Sequence, residues 1–75
     1  MVLEPEEKLL SMDANSLVQI IKNDNLHRDE VLNIVNENIF PDNNVDSISQ
    51  AIIKAGFITV RSIYLTLKIE TSLVN

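Results

Sequence analysis

In the segment SIYLTLKIETSLV, residues Ile63, Leu65, Leu67, Ile69, Thr71 and Leu73 fall at every second position, the period of a half-buried strand. Almost everything before it is spaced for helix, and a lone strand has no partner in its own chain and is not stable in water. Two architectures follow. Read as a helix capped by Thr59, the segment carries Val60, Ile63, Tyr64 and Leu67 on one stripe and Leu65, Ile69 and Leu73 on a second, opposite one. Read as a strand, it turns Ser62, Tyr64, Thr66, Lys68, Glu70 and Ser72 to the other face and must pair with another chain. The helical context favours the helix. On either reading the tail has more apolar surface than one small bundle needs, so a second chain is expected to cover part of it, as in a dimer.

The remaining boundaries are marked by capping residues. Glu4-Pro5-Glu6-Glu7 has the proline and acids of a helix start. Asp13 is placed to cap ANSLVQIIK, with Met12 stapled on Leu17 and an apolar stripe of Leu17, Ile20 and Ile21. Asn23-Asp24-Asn25 stops that helix. A helix over about 27–40 follows, with Leu26 and Val31 as its staple and Val31, Ile34, Val35, Asn38 and Ile39 on one face. Pro41 ends it. Asp42 or Asn44 is expected to cap the next helix, which buries Val45, Ile48, Ile52 and Ile53. The only glycine, Gly56, stands where a left-handed residue closes a helix, with Phe57 folding back as its apolar contact. The expected fold is all-α: a compact bundle of four or five short helices in one domain, 1–75, with the C-terminal segment open between helix and an intermolecularly paired strand.

Composition narrows the function. With no cysteine and one histidine, neither a disulfide framework nor a soft-ligand zinc site can be assembled in one chain. No apolar run has the length of a membrane span. The opening MVLEPEEKLL carries acids where a signal peptide carries Lys or Arg, which points to a soluble intracellular protein. The net charge is −5, and ten of the eleven acids lie within residues 1–46. A solvated acidic surface explains this; so does a basic partner.

No catalytic or metal-binding set is legible. Asp42, Asn44 and Asp46 match positions 1, 3 and 5 of a calcium loop, but Ser47 replaces the glycine at position 6 and Ile53 the bidentate glutamate at 12. His27 sits among Arg28, Asp29 and Glu30 with no nucleophile marked out for it, and is expected to be exposed or capping. One glycine cannot build a phosphate-cradling loop. No catalytic residue, cofactor or metal is assigned, and an enzyme is not expected.

Three short stretches resemble known families. DANSL is similar to the Asp-Ser-Leu prosthetic-group site of acyl carrier proteins, with Asn15 in place of the Asp beside Ser16 and no long helix before it. LLSMDANSLVQIIKNDNLHRDEVLNIV resembles the BACK domain in its Asp24, Leu26 and Glu30, with a shorter Leu-to-helix spacing and without that family's Trp. KAGFITV resembles the helix-hairpin-helix of recombinase N-terminal domains over seven residues, without their basic surroundings. None of the three assigns the chain.

The function expected from these residues is that of a small acidic, non-enzymatic protein–protein interaction or regulatory module. It would self-associate or dock through Tyr64, Leu65, Ile69 and Leu73, with an unidentified protein partner and no membrane role. The alternative is a nucleic-acid-associated regulator presenting Lys54, Arg61 and Lys68, or an acidic mimic that blocks a nucleic-acid-binding protein. Three bases over 15 residues are a thin footprint for nucleic acid.

Overall fold

In the computed structural model, residues 11–74 are described, and the tail is a helix. Among these residues four α-helices follow one another: α1, Ala14–Lys22; α2, Arg28–Ile34; α3, Ile48–Ala55; and α4, Phe57–Val74. No strand occurs among the described residues. The helix start expected at Glu4–Glu7 lies outside them.

Helix α1 begins as its sequence dictates. Asp13 is extended and its Oδ1 accepts the Ser16 N–H at 2.9 Å, satisfying an amide that the first turn leaves without a helical partner. Leu17, Val18 and Ile21 are buried, and Ile20 is half-buried. Met12 packs against the core.

Helix α2 departs from the expected pattern twice. Leu26 is 73 % exposed, so the Leu26–Val31 staple does not form. Beyond Ile34 the helix widens into a π-helical turn, Val35–Ile39, closed by the Phe40 N–H on the Val35 carbonyl at 2.7 Å. A π turn takes in one extra residue, which shifts every later side chain round the axis. Val31 and Val35 therefore stay buried, Asn38 and Ile39 are turned outward, and Phe40 packs against the core in their place.

The widened turn also aims Asn36 at the following loop. Its side chain accepts the Val45 N–H at 2.6 Å and donates to the Val45 carbonyl, which fixes Val45 inside the core. With Val45 pinned there, the cap of α3 falls on Ser47, whose Oγ accepts the Gln50 N–H at 3.2 Å. Asp42 and Asn44 do not cap the helix. Ile48 and Ala51 are the buried residues of α3; Ile52 packs at the edge of the core and Ile53 is 73 % exposed.

Gly56 joins α3 to α4 without a loop. Its N–H donates to the Ile52 carbonyl at 2.8 Å, and its own carbonyl accepts the Val60 N–H at 3.1 Å. Its φ of 100° and ψ of 146° lie in a region that essentially only glycine adopts. Phe57 is accordingly the first residue of α4, and Thr59 lies inside the helix and does not cap it. A Cβ at Gly56 would meet only Thr59 Oγ1, at 3.9 Å, so the cost of alanine is conformational. Gly56→Ala is expected to destabilise the fold by about 1–3 kcal/mol, read from urea unfolding; a neutral result would remove the constraint from this junction.

Helix α4 packs against α1, α2 and α3. Val60, Tyr64 and Leu67 are buried along one side, and Ile63 and Leu65 lie at the edge of the core. No helix of the described residues is long and apolar enough to cross a membrane.

Candidate functional site

The residues expected to meet a partner separate into two groups. Tyr64 is only 1 % exposed. It is a core residue and not a contact surface, because the stripe Val60–Tyr64–Leu67 is the one that α4 presents to the other helices. Leu65 is half-buried against the core. Ile69 and Leu73 are exposed, Leu73 at 80 %, and they lie four residues apart on one face, with exposed Ile58 further up the same side.

The bases of the nucleic-acid reading do not form one patch built for phosphate. Lys54 is exposed in the last turn of α3. Arg61 and Lys68 share a flank of α4 two turns apart, and each lies over an aromatic ring of its own helix. The Arg61 guanidinium is 5.3 Å from the Phe57 ring centre, and the Lys68 ammonium is 5.6 Å from that of Tyr64. These contacts hold both cations against apolar surface.

His27 is not exposed and does not cap. It occupies the N-cap position of α2 without a capping bond, and it is 6 % exposed. Asp24 makes this placement. Its Oδ1 accepts the backbone N–H groups of Leu26 and His27, both at 2.9 Å, a side-chain-to-backbone turn that folds the chain back over the end of α1. Its Oδ2 faces His27 Nδ1 at 2.8 Å and accepts the Tyr64 hydroxyl at 2.5 Å. On the far side of the ring, His27 Nε2 lies 2.8 Å from Thr71 Oγ1, which is in turn 2.9 Å from the Leu67 carbonyl. The His27 and Tyr64 rings meet edge to face at 6.0 Å.

Asp24, His27 and Thr71 thus stand in the order of a nucleophile triad. The same bonds tie the α1–α2 turn to the end of α4. The carboxylate is saturated by four donors, and the hydroxyl is engaged on its own helix. The clefts at α2–α4 and α1–α2–α3 are lined by other residues. The donor logic also favours a tether. Ionised Asp24 can only accept, so Nδ1 donates. Thr71 has one hydrogen, which goes either to Leu67, with Nε2 donating to Thr71, or to Nε2 itself. Both ring nitrogens are satisfied either way.

The cluster perturbs its acid and its phenol in opposite directions. Burial works to raise the Asp24 carboxyl, but the bonds from Tyr64, His27 and the two amides outweigh it and hold the group well below the usual carboxylate range. Burial, then the hydrogen bond to Asp24 and its charge, push the Tyr64 phenol above its ordinary value. Asp24 therefore contributes stability that is fully present above its unfolded value, near 3.8, and is lost as pH falls through the folded one. Urea midpoints are expected to hold down to about pH 4 and then drop, and Asp24→Asn should show less of that drop. An equal acid decline in both proteins would contradict the assignment.

An apolar cleft of about 310 Å³ runs between α2 and α4, lined by Ile34, Ser62, Ile63, Thr66, Leu67 and Glu70. A second, of about 410 Å³, is lined by both signs of charge: Lys22 and Arg28 with Asp29 and Asp46. Among the described residues no group of three or more His, Asp or Glu side chains converges to hold a metal ion. No protein-family model, curated protein or solved structure matches the chain.

Sequence reasoning missed the Asp24–His27–Tyr64–Thr71 cluster. One signal was there to find. Thr71 continues the row Val60, Tyr64, Leu67 by one more helical step, so a hydroxyl stands in line with the stripe that faces the other helices, within reach of a polar group on one of them.

Proposed function

We propose that this chain is a small acidic, non-enzymatic protein–protein interaction or regulatory module that self-associates through the outward face of α4. The observation that carries the reading is the exposure of Ile69 and Leu73 on one side of a helix whose opposite side, Val60–Tyr64–Leu67, is already committed to the core. Half-buried Leu65 and exposed Ile58 extend that apolar stripe toward the N-terminal end of α4. A helix with two apolar sides in a small domain has one side more than its own fold uses.

The double variant Ile69→Lys, Leu73→Lys is expected to be monomeric by sedimentation at concentrations where the parent protein dimerises, and to melt like the parent only in dilute solution where both are monomers. A parent protein that stays monomeric at high concentration would defeat self-association. The nucleic-acid reading rests on Arg61 and Lys68 sharing one flank of α4. It requires binding to DNA that survives moderate salt and is lost when Lys54, Arg61 and Lys68 are changed.

A further inference from the structure

The cleft between α2 and α4 differs from the outward stripe in its charge. Its floor is apolar, from Ile34, Ile63 and Leu67, with the small hydroxyls of Ser62 and Thr66 leaving room above them. Both helices that border it carry acids. Glu70 lines it from α4. On α2, exposed Glu30 precedes Ile34 by one turn, and exposed Glu37 follows in the widened turn. The nearby bases point elsewhere. Arg28 lines the other cleft, and Arg61 and Lys68 lie on the opposite flank of α4 over Phe57 and Tyr64.

We infer that this cleft receives the apolar face of a basic amphipathic helix from a partner protein. The inference rests on reading the chain as an interaction module, and it concerns a face beside the self-association stripe. A helix laid in a groove contributes apolar side chains at i, i+3 or i+4, and i+7, while its flanks meet the two banks. Here Glu70 lines the α4 bank and exposed Glu30 and Glu37 stand on the α2 side, before and after Ile34, so Lys or Arg on both flanks of the incoming helix would find opposite charge. Acidic or neutral helices with the same apolar face would not. The apolar floor supplies affinity, and these acids select the partner's charge and speed its arrival.

The test uses the full chain and three labelled synthetic helical peptides in fluorescence anisotropy. One has a Leu face flanked by Lys; one has the same face flanked by Glu; the third has the Lys and Leu content of the first, scrambled so that no face forms. The first is expected to bind at least tenfold more tightly than the other two, and to weaken as salt is raised. Two triple variants with the same net charge then locate the site. Glu30→Lys, Glu37→Lys, Glu70→Lys is expected to lose at least tenfold, whereas Asp29→Lys, Asp42→Lys, Asp46→Lys should change affinity far less. Thr66→Arg, at an exposed position in the cleft, is expected to block binding without lowering the melting temperature. Equal binding of the Lys and Glu peptides, equal losses in the two triple variants, or unimpaired binding by Thr66→Arg would each overturn the inference. So would a dimer that Thr66→Arg dissociates while no peptide binds, since a second copy would then occupy the cleft. Loss of self-association in the Ile69→Lys, Leu73→Lys variant with peptide binding retained separates this site from the outward stripe.

Discussion

Asp24→Ala is expected to cost about 3–5 kcal/mol, a large share of the stability of a domain this small. The carboxylate is the shared acceptor for the Tyr64 hydroxyl, the His27 ring and two backbone amides. Removing it leaves a phenol and an imidazole without their partner in a region where neither reaches bulk water, and it releases the turn that starts α2. Tyr64→Phe deletes one donor and leaves the carboxylate with its other bonds, so it should cost only about 1–2 kcal/mol. Urea unfolding of the two variants measures the difference. If Asp24→Ala stayed within about 0.5 kcal/mol of the parent, the range of an ordinary surface change, the cluster would have no structural weight.

Val60→Asp is expected to leave the chain unfolded at 25 °C, because an aspartate at this fully buried position is too short to carry its charge to solvent and has no partner prepared for it. Ser62→Asp, two residues on, should melt like the parent. Two residues on a helix are about 200° apart, which puts Val60 in the core and Ser62 on the exposed side. A strand would have both on one face. Circular dichroism melts on the pair therefore test the helical assignment of the tail directly, and equal damage from the two substitutions would reject it.

How far the residues announced this fold depends on how far apart the deciding partners lie. Asp13 and Ser16 are three residues apart, and their cap was legible. So was the end of α3 at the only glycine, and so was the stripe of Val60, Tyr64 and Leu67, because a helix repeats within a single window. The cap of α3 was not. Asp42, Asn44 and Ser47 are all competent, and the choice is made by Asn36, nine residues upstream, gripping Val45. The widened turn in α2 was hidden for the same reason: nothing in VNENI demands it, and its benefit is felt at Val45 and Phe40. Of the expected contact surface, Ile69 and Leu73 are exposed as the pattern required, whereas Tyr64 belongs to the core stripe, which its own spacing also indicated. His27 was misplaced because its two partners are Asp24, nearby, and Thr71, on another helix.

That last pairing bears on how long the native state lasts. The Tyr64–Asp24 and His27–Thr71 bonds join residues 40 and 44 positions apart, while the bonds within each helix span a single turn. Short-range bonds form first and cheaply, whereas closing a long loop has an entropic cost that only a nearly complete structure repays. Bonds that form after the rate-limiting step leave the folding rate alone and slow the reverse reaction. Four side chains at the seam between the α1–α2 turn and the end of α4 are thus expected to slow unfolding and leave the folding rate unchanged, so Tyr64→Phe and Thr71→Val should hasten escape from the native state without delaying its formation.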